Sequence, residues 1–331
     1  MHIAIDAMGG DGGVDLTVPA SLQALLKFPE LSLILIGNEE QIAPLLADTT
    51  AAVKERLSVL HTAEQISDED KPGNVLRNAR QSSMYLATEL VKRGEVQAMV
   101  SAGNTGALLM IGRHLLKTIT GIQKPAIVAT IPGATRQGYL LDVGANPECG
   151  AQQLFEFAVM GSVLAESLNG TAASVGLLNI GAEHYKGTEE VRLASQQMKQ
   201  CSALNYIGFI EANELFEGVA DVAVCDGFVG NVTIKSSAGV ANVVNKFLAE
   251  QLPGTSSDTV ANDVLTRLAA QINPQRFNGA SLLGLQGSIV KSHGNATVEG
   301  FTYAIQQAVR EVENAVPQLI AKKVAAIIEA N

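Results

Sequence analysis

The chain has 331 residues, 47% hydrophobic and 17% charged, enough to bury one large core or two modest ones. Its formal charge of −10, with no basic run longer than Lys92-Arg93 or Lys322-Lys323, excludes a nucleic-acid partner, because phosphate backbones are held by clustered Lys and Arg. Three cysteines without C-x-x-C spacing give neither a disulfide framework nor a zinc site, and without a leader or about 20 consecutive apolar residues the expected location is cytoplasmic.

Apolar runs that read as strands fall at His2 to Ala7, Leu31 to Ile36 and Leu57 to His61. A helical period follows from Asn74 to Arg93, with Pro72 and Gly73 at its entry, then a strand at Gln97 to Ser101 and a helix running to Leu116. Further strands are predicted at Ala126 to Ile131, Tyr139 to Val143, Ser174 to Ile180 and Val222 to Cys225. Leu33 to Ile36 and Val175 to Ile180 are continuously apolar, as strands covered on both faces are. From Gly239 to Gly279 two helices, Val240 to Gln251 and Asp258 to Gln271, follow one another across a turn at Pro253 and Gly254, with Ser257 or Asp258 as the cap. A strand at Ser281 to Leu285 and a helix at Val316 to Glu329 close the chain. The alternation describes an α/β protein with a parallel sheet, one domain over residues 1–331 with a helical hairpin insertion at 239–279. A two-lobed arrangement is the alternative.

Five loops begin where predicted strands end: IDAMGGDGG at Ile5 to Gly13, SAGNTG at Ser101 to Gly106, DVGAN at Asp142 to Asn146, NIGAEHYKG at Asn179 to Gly187, and CDGFVGN at Cys225 to Asn231. In a parallel sheet ligands bind beyond the carboxyl ends of the strands, and loops rich in Gly and Asn present backbone amides to anions. Any one loop alone reads equally well as a tight turn; five together point to an anion site. The dinucleotide pattern G-x-G-x-x-G fails at Gly10 and Gly12, a P-loop fails at Lys186-Gly187, and G-x-S-x-G is absent. A nicotinamide-dependent dehydrogenase therefore lacks its fingerprint, and a non-catalytic scaffold would not need so many anion-type loops.

These loops, with SSMYLATELVKRGEVQAMVSAGNTGALL, LNIGAEHYKGTE, CDGFVGNVTIKSSAG and SHGNA, resemble the phosphate acyltransferases of bacterial phospholipid synthesis over nearly the whole chain. The first loop departs from that family, having Gly12-Gly13-Val14 where a small or aromatic residue and a proline-containing pair are common. The resemblance implies a three-layer α/β/α sandwich like that of isocitrate and isopropylmalate dehydrogenases, usually a homodimer. It implies acyl phosphate synthesis from acyl-acyl carrier protein and inorganic phosphate, feeding a glycerol-3-phosphate acyltransferase. No cofactor is implied; the alternative donor is acyl-CoA, as in phosphotransacetylases. It also implies a hairpin near the dimer interface whose apolar tip touches membrane in some relatives, although PGTSSD offers no large apolar side chain.

Lys186 and Asn231 are the expected catalytic residues, one offsetting negative charge and the other donating a hydrogen bond to the developing oxyanion. Without the resemblance they read as a solvated lysine and a helix cap. Ser101, Gly103, Asn104, Thr105 and Gly106 are expected at phosphate, where Asn104 and Thr105 equally suit a helix cap. Gly9, Gly10, Asp11, Asn146, Asp226, Gly227, Gly230 and His293 complete the expected substrate-binding set. Asp6, Asp11, Asp142 and Asp226 either hold magnesium or, the preferred reading, brace the loops through backbone amides. His293 also suits a packed loop position, and Cys225 a small buried hydrophobe. An acidic carrier protein needs a local basic patch on so acidic a chain, with Lys246, Arg267 and Arg276 as contributors.

Overall fold

In the computed structural model, residues 1–133, 136–251, 264, 266–268 and 272–330 are described. Their strands are β1 (His2–Asp6), β2 (Ser32–Gly37), β3 (Leu57–His61), β4 (Ala98–Ser101), β5 (Ala126–Ile131), β6 (Gly138–Leu141), β7 (Ser174–Leu178), β8 (Asn205–Ile210), β9 (Val222–Val224), β10 (Ala280–Leu283) and β11 (Ser288–Lys291). They form one 11-stranded sheet in the order β3-β2-β1-β4-β11-β10-β5-β6-β9-β7-β8.

Strand direction reverses in the middle of this sheet. β1, β2, β3, β4 and β11 are mutually parallel, and so are β6, β9, β7 and β8. Between the two sets β10 is antiparallel to β11 and β5, and β5 is antiparallel to β6. The loops after β1, β4 and β11 therefore leave one edge of the sheet, and those after β6, β9 and β7 leave the opposite edge. A strand of four or five residues at about 3.3 Å per residue puts these edges roughly 15 Å apart.

Helices cover both faces. Gly13–Lys27 and Val298–Glu313 bury Leu16, Val18, Phe301 and Ile305 against the first set of strands. Ala151–Asn169 and Val316–Ala330 bury Phe157, Val163, Val316 and Ile320 against the second. On the other face a single core, with Met84, Leu108 and Ile111 from Ser83–Arg93 and Thr105–Leu116, reaches across to Leu140 and Ala223. The result is the three-layer α/β/α sandwich with a mostly parallel sheet that the sequence suggested.

Several expectations are corrected. The helix expected over Asn74 to Arg93 is two, Pro72–Asn78 and Ser83–Arg93, because Ser82 donates to the Ala79 carbonyl (2.7 Å) and caps the second through the Tyr85 amide (3.3 Å). Strands β8 and β11 were not expected: NYIGFI has little alternation and is interrupted by Gly208 at φ +107°, and SIVK is only four residues long. The helix expected from Val240 begins at Gly227 and runs unbroken to Gln251, with Gly239 tolerated mid-helix in open space. Of the second hairpin helix only Val264 and Thr266 to Leu268 are described, and they are helical; the turn and cap at 253–258 lie outside the described residues.

One buried carboxyl makes the fold pH-sensitive. Glu311, in the helix Val298–Glu313, accepts hydrogen bonds from Ser281 Oγ and from Gln307 Nε2 (3.2 Å), and burial pushes its pKa up to about 7 from 4.5. The folded chain holds this proton where the unfolded chain has released it, so the stabilisation is full below about pH 4.5 and disappears as pH rises through about 7. Between pH 4.5 and 8, denaturant unfolding should show wild type losing about 3 kcal/mol relative to Glu311→Gln. Parallel stability profiles for the two proteins would rule this out.

Candidate functional site

At the first edge, three loops interlock around Asp6. The carboxylate is buried at the end of β1 and accepts from Ser83 Oγ and Ser101 Oγ, both at 2.6 Å. Burial raises its pKa, partly offset by these hydroxyls. Ser101 Oγ also accepts from the Gly103 amide at 3.0 Å, and the Asp11 amide donates to the Gly294 carbonyl at 2.9 Å. Gly9 is required by close approach: a Cβ there would stand 2.6 Å from Asp6 Oδ2 and 2.7 Å from the Gly103 nitrogen. Gly10 lies in the left-handed region, with φ +81°.

Asn104 caps the helix Thr105–Leu116 by accepting from the Ala107 amide at 3.0 Å. Its Nδ2 donates to the carbonyls of Ser67, Asp68 and Asp70 at 3.1–3.2 Å, tying the helix start to a neighbouring loop. Ser101 and Asn104 thus have internal partners, and what this edge offers an anion is the helix N-terminus at Thr105 and Gly106 with its backbone amides.

Lys291, which sequence reasoning missed, belongs to the same edge. Its Nζ donates to the carbonyls of Ala102 (3.1 Å) and Ser292, clamping the loop after β4 to the loop after β11. Burial lowers its pKa to about 8 against the pull of Asp68, Asp6 and Asp11. The available signal was a lysine ending an apolar run directly before SHGN. His293 donates its backbone amide to Asn278 Oδ1 at 3.0 Å. Desolvation, then the charges of Lys291 and Lys235, hold the imidazole pKa below its ordinary value.

At the second edge the organiser is Asp142. Its Oδ1 accepts from the amides of Ile127 (3.0 Å), Gly144 (3.2 Å) and Ala145 (3.0 Å), and its Oδ2 from the Asn146 amide (2.7 Å) and Asn146 Nδ2 (2.9 Å). Asn146 Nδ2 also donates to the Pro125 carbonyl at 2.8 Å, so this side chain is a brace within the loop. Gly230 packs so closely on the Asp142 carbonyl that no Cβ fits, and the Gly227 amide donates to the Asn146 carbonyl at 2.8 Å. Asp226 caps the helix Gly227–Gln251 by accepting from the Val229 amide at 2.8 Å, so the helix cap is Asp226 and not Asn231.

Asn231 lies just inside that helix and sends Nδ2 back to the Val143 carbonyl at 3.1 Å, leaving its second amide hydrogen for a ligand. Beside it, at the end of β7, Asn179 folds its loop by donating to the Lys186 carbonyl at 3.3 Å and accepting from the Ile180 amide at 2.9 Å. Lys186 Nζ stands 5.8 Å from the centroid of the Tyr185 ring. In the same two loops Ile180 (78%), Phe228 (67%) and Tyr185 (63%) are exposed.

Cys149 and Cys225, at the base of this group, are not activated thiols. Burial, with Asp142 and Asp226 adding to it, pushes the Cys149 pKa up to about 12 and raises that of Cys225 well above its usual value. Among the described residues no three His, Cys, Asp or Glu side chains are grouped to hold a metal ion. Asp6, Asp142 and Asp226 instead accept hydrogen bonds from the loops.

A family model described as "Fatty acid synthesis protein" matches residues 1–319. A phosphate acyltransferase of Shewanella woodyi is 45% identical over 334 residues, covering 99% of this chain and 98% of that protein. One of Pseudomonas syringae pv. tomato is 48% identical over 320 residues, covering 96% and 94%. In structure, a phosphotransacetylase from Streptococcus pyogenes superposes with a TM-score of 0.63 at 16% identity, covering 95% of this chain and 94% of that one, which establishes the shared fold.

Asp142→Asn tests the brace. Either orientation of the new amide sets its NH2 against donors that now point at a carboxylate oxygen, stranding two or three buried N–H groups. The substitution should cost at least about 2 kcal/mol in denaturant unfolding. A change under about 0.5 kcal/mol would mean that Asp142 does not organise this edge.

Proposed function

The chain belongs to the fatty acid synthesis protein family that holds the phosphate acyltransferases, and from that premise we propose that it makes acyl phosphate from acyl-acyl carrier protein and inorganic phosphate. A phosphate oxygen attacks the thioester carbonyl, the C–O bond forms, the C–S bond breaks, and the thiolate leaves. A thiol of pKa about 8.5 is an adequate leaving group, and phosphate is anionic at neutral pH, so little acid–base assistance is required. Charge is the obstacle. An anion must approach a carbonyl that itself becomes an oxyanion, and each good donor aimed at it contributes roughly 3 to 4 kcal/mol.

The observation that supports the reading is that the loops of Lys186 and Asn231 leave the sheet side by side. They follow β7 and β9, which are neighbours in the sheet, and each keeps donor capacity after the loops have satisfied their own backbone. Lys186 offsets the charge of phosphate or oxyanion, the free hydrogen of Asn231 Nδ2 donates to it, and the apolar rim of Ile180 and Phe228 receives the acyl chain. Acyl phosphate leaves for a glycerol-3-phosphate acyltransferase in phospholipid synthesis. An acyl-CoA donor is the second reading, supported by the phosphotransacetylase fold.

The helix-start anion loops and the Lys186 group leave opposite edges of the sheet, so a homodimer is part of the proposal. Val240, Val243, Val244 and Phe247 form an exposed apolar stripe along Gly227–Gln251, the helix that begins at the Lys186 edge. A second copy seated on this stripe buries it and carries one chain's Lys186 group to the other chain's SAGNTG loop. Among the described residues no helix is long and apolar enough to cross a membrane, and the hairpin tip lies outside them.

Two measurements test these readings. Purified protein should release free carrier thiol from acyl-acyl carrier protein only when phosphate is present, and Lys186→Ala or Asn231→Ala should lower kcat by about 100- to 1,000-fold. Release that ignores phosphate sinks the acyltransferase reading. The double variant Val243→Glu/Phe247→Glu should sediment as a folded monomer with at most about one hundredth of wild-type kcat/KM, a loss of the order attributed to one oxyanion donor. A fully active monomer would show that one chain holds the whole site.

A further inference from the structure

Three loops meet at the first edge of the sheet, and one ammonium group stands where they meet. Lys291, the last residue of β11, is the register partner of Ser101 in β4, and just beyond it the Ser292 amide donates to the Ser101 carbonyl at 2.8 Å. The Asp11 amide reaches the Gly294 carbonyl at 2.9 Å, and a Cβ on Gly10 would stand 2.8 Å from the Ala102 Cβ and 2.9 Å from the Gly294 oxygen. Lys291 Nζ donates to the Ala102 carbonyl at 3.1 Å and to that of Ser292. Ala102 lies directly before Gly103, Asn104 and the helix start at Thr105, so the ammonium holds the SAGNTG backbone at its base.

The surroundings of that ammonium are acidic. Asp6 is buried at the end of β1, Asp11 follows in the next loop, and Asp68 is exposed in the loop whose carbonyls Asn104 Nδ2 holds. Burial lowers the Lys291 pKa to about 8, and among the opposing charges Asp68 acts most strongly, then Asp6 and Asp11. His293, in the adjoining loop, is held below 6.5 by desolvation and then by Lys291 and Lys235, so at neutral pH it contributes little charge. The start of a helix attracts an anion only weakly at an exposed position, and carboxylates beside it act against that attraction. Without the ammonium, the loop amides would face an incoming anion from within a field of its own sign.

We infer that Lys291 is the positioning residue of the phosphate loop: it fixes the SAGNTG backbone against SHGN and balances Asp6, Asp11 and Asp68, so that inorganic phosphate is accepted where like charge would repel it. The identity of the anion rests on the acyltransferase reading above. Lys291 need not touch phosphate, because it acts through the Ala102 carbonyl and through the carboxylates it balances. These two actions separate with pH. The positive charge is present below about pH 8 and is lost above it, against an ordinary value of 10.5, whereas the neutral amine still has hydrogens for the two carbonyls. Above pH 8 the clamp therefore persists while the carboxylates stand unbalanced.

Calorimetric binding of inorganic phosphate to the full chain tests the inference without turnover. Wild-type Kd should rise at least about tenfold between about pH 7.5 and 9.5, a range over which a group of pKa about 8 loses nearly all its charge. At pH 7.5 Asp68→Asn, an exposed change, should tighten phosphate about two- to fivefold, the size of a screened surface pair. Lys291→Met should weaken binding at least about tenfold, and adding Asp68→Asn should recover part of that loss, which a purely structural clamp would not allow. Should Lys291→Met fail to fold, the wild-type pH series and Asp68→Asn decide by themselves. A Kd that ignores pH, an absence of phosphate binding, or an Asp68→Asn affinity equal to wild type overturns the inference, and so does a Lys291→Met loss that Asp68→Asn leaves untouched. Phosphate binding that follows Lys291 in a chain without phosphate-dependent thiol release would retain the positioning role and discard the acyltransferase reading.

Discussion

Two buried carboxylates at strand ends hold the loops on which everything else depends. A glycine-rich loop that offers its amides to a ligand has, for that reason, few hydrogen bonds of its own and a high entropic cost of ordering. Asp142 resolves this at one edge by accepting five N–H bonds from the loop that follows it and from the start of β5. Asp6 does the same at the other edge through hydroxyls, fixing Ser101 and with it the turn into the helix Thr105–Leu116. Both carboxyls have raised pKa values because burial outweighs the donors that stabilise their charge. The chain accepts that desolvation to fix loop shapes that backbone propensity alone would leave open.

Bracing consumes side chains that would otherwise look like ligands. Ser101, Asn104, Asn146 and Asp226 each spend their polar atoms on loop, cap or strand. The donors the loops leave unspent are of two kinds, segregated by the sheet: backbone amides and a helix N-terminus at one edge, and Lys186 with half of the Asn231 amide at the other. A reaction that needs an anion held and an oxyanion stabilised requires both kinds, and the reversal of strand direction between β11 and β6 keeps them apart in one chain. The exposed stripe on Gly227–Gln251 leaves three valines and a phenylalanine uncovered, and in the dimer proposed above their burial would favour the meeting of the two kinds of donor.

The loops were legible because glycine and asparagine after an apolar run are local chemistry, and the layered α/β architecture was legible because period reports which faces are covered. Direction is not local. Nothing in Tyr139 to Val143 distinguishes a strand parallel to its neighbour from an antiparallel one, so five loops at strand ends read as one site when they form two groups. The internal partners were equally hidden, since Ser101 finds Asp6 across 95 positions and Asn104 finds Ser67 across 37. Lys291 was missed because β11 is four residues long, too short for a period, and a lysine after a short apolar run normally belongs to the surface. Its clamp on the Ala102 carbonyl instead ties the loop after β4 to the loop after β11.

The acidity of the chain and its anion chemistry are compatible because charge acts locally. At physiological salt the screening length is about 8 Å, so most of the net −10 is not felt at any one loop. The cations closest to the loops of the first edge are Lys291 and, near His293, Lys235. Of the carboxylates there, Asp6 is buried and closed off by Ser83 and Ser101, while the exposed Asp68 and Asp11 pull on Lys291. A lysine poised at about pKa 8 by burial and held by two carbonyls keeps its positive charge at neutral pH while being unable to swing away with a product. Fixed charge of this kind suits the reaction proposed above, in which one anion is bound, another released, and neither need be neutralised by proton transfer.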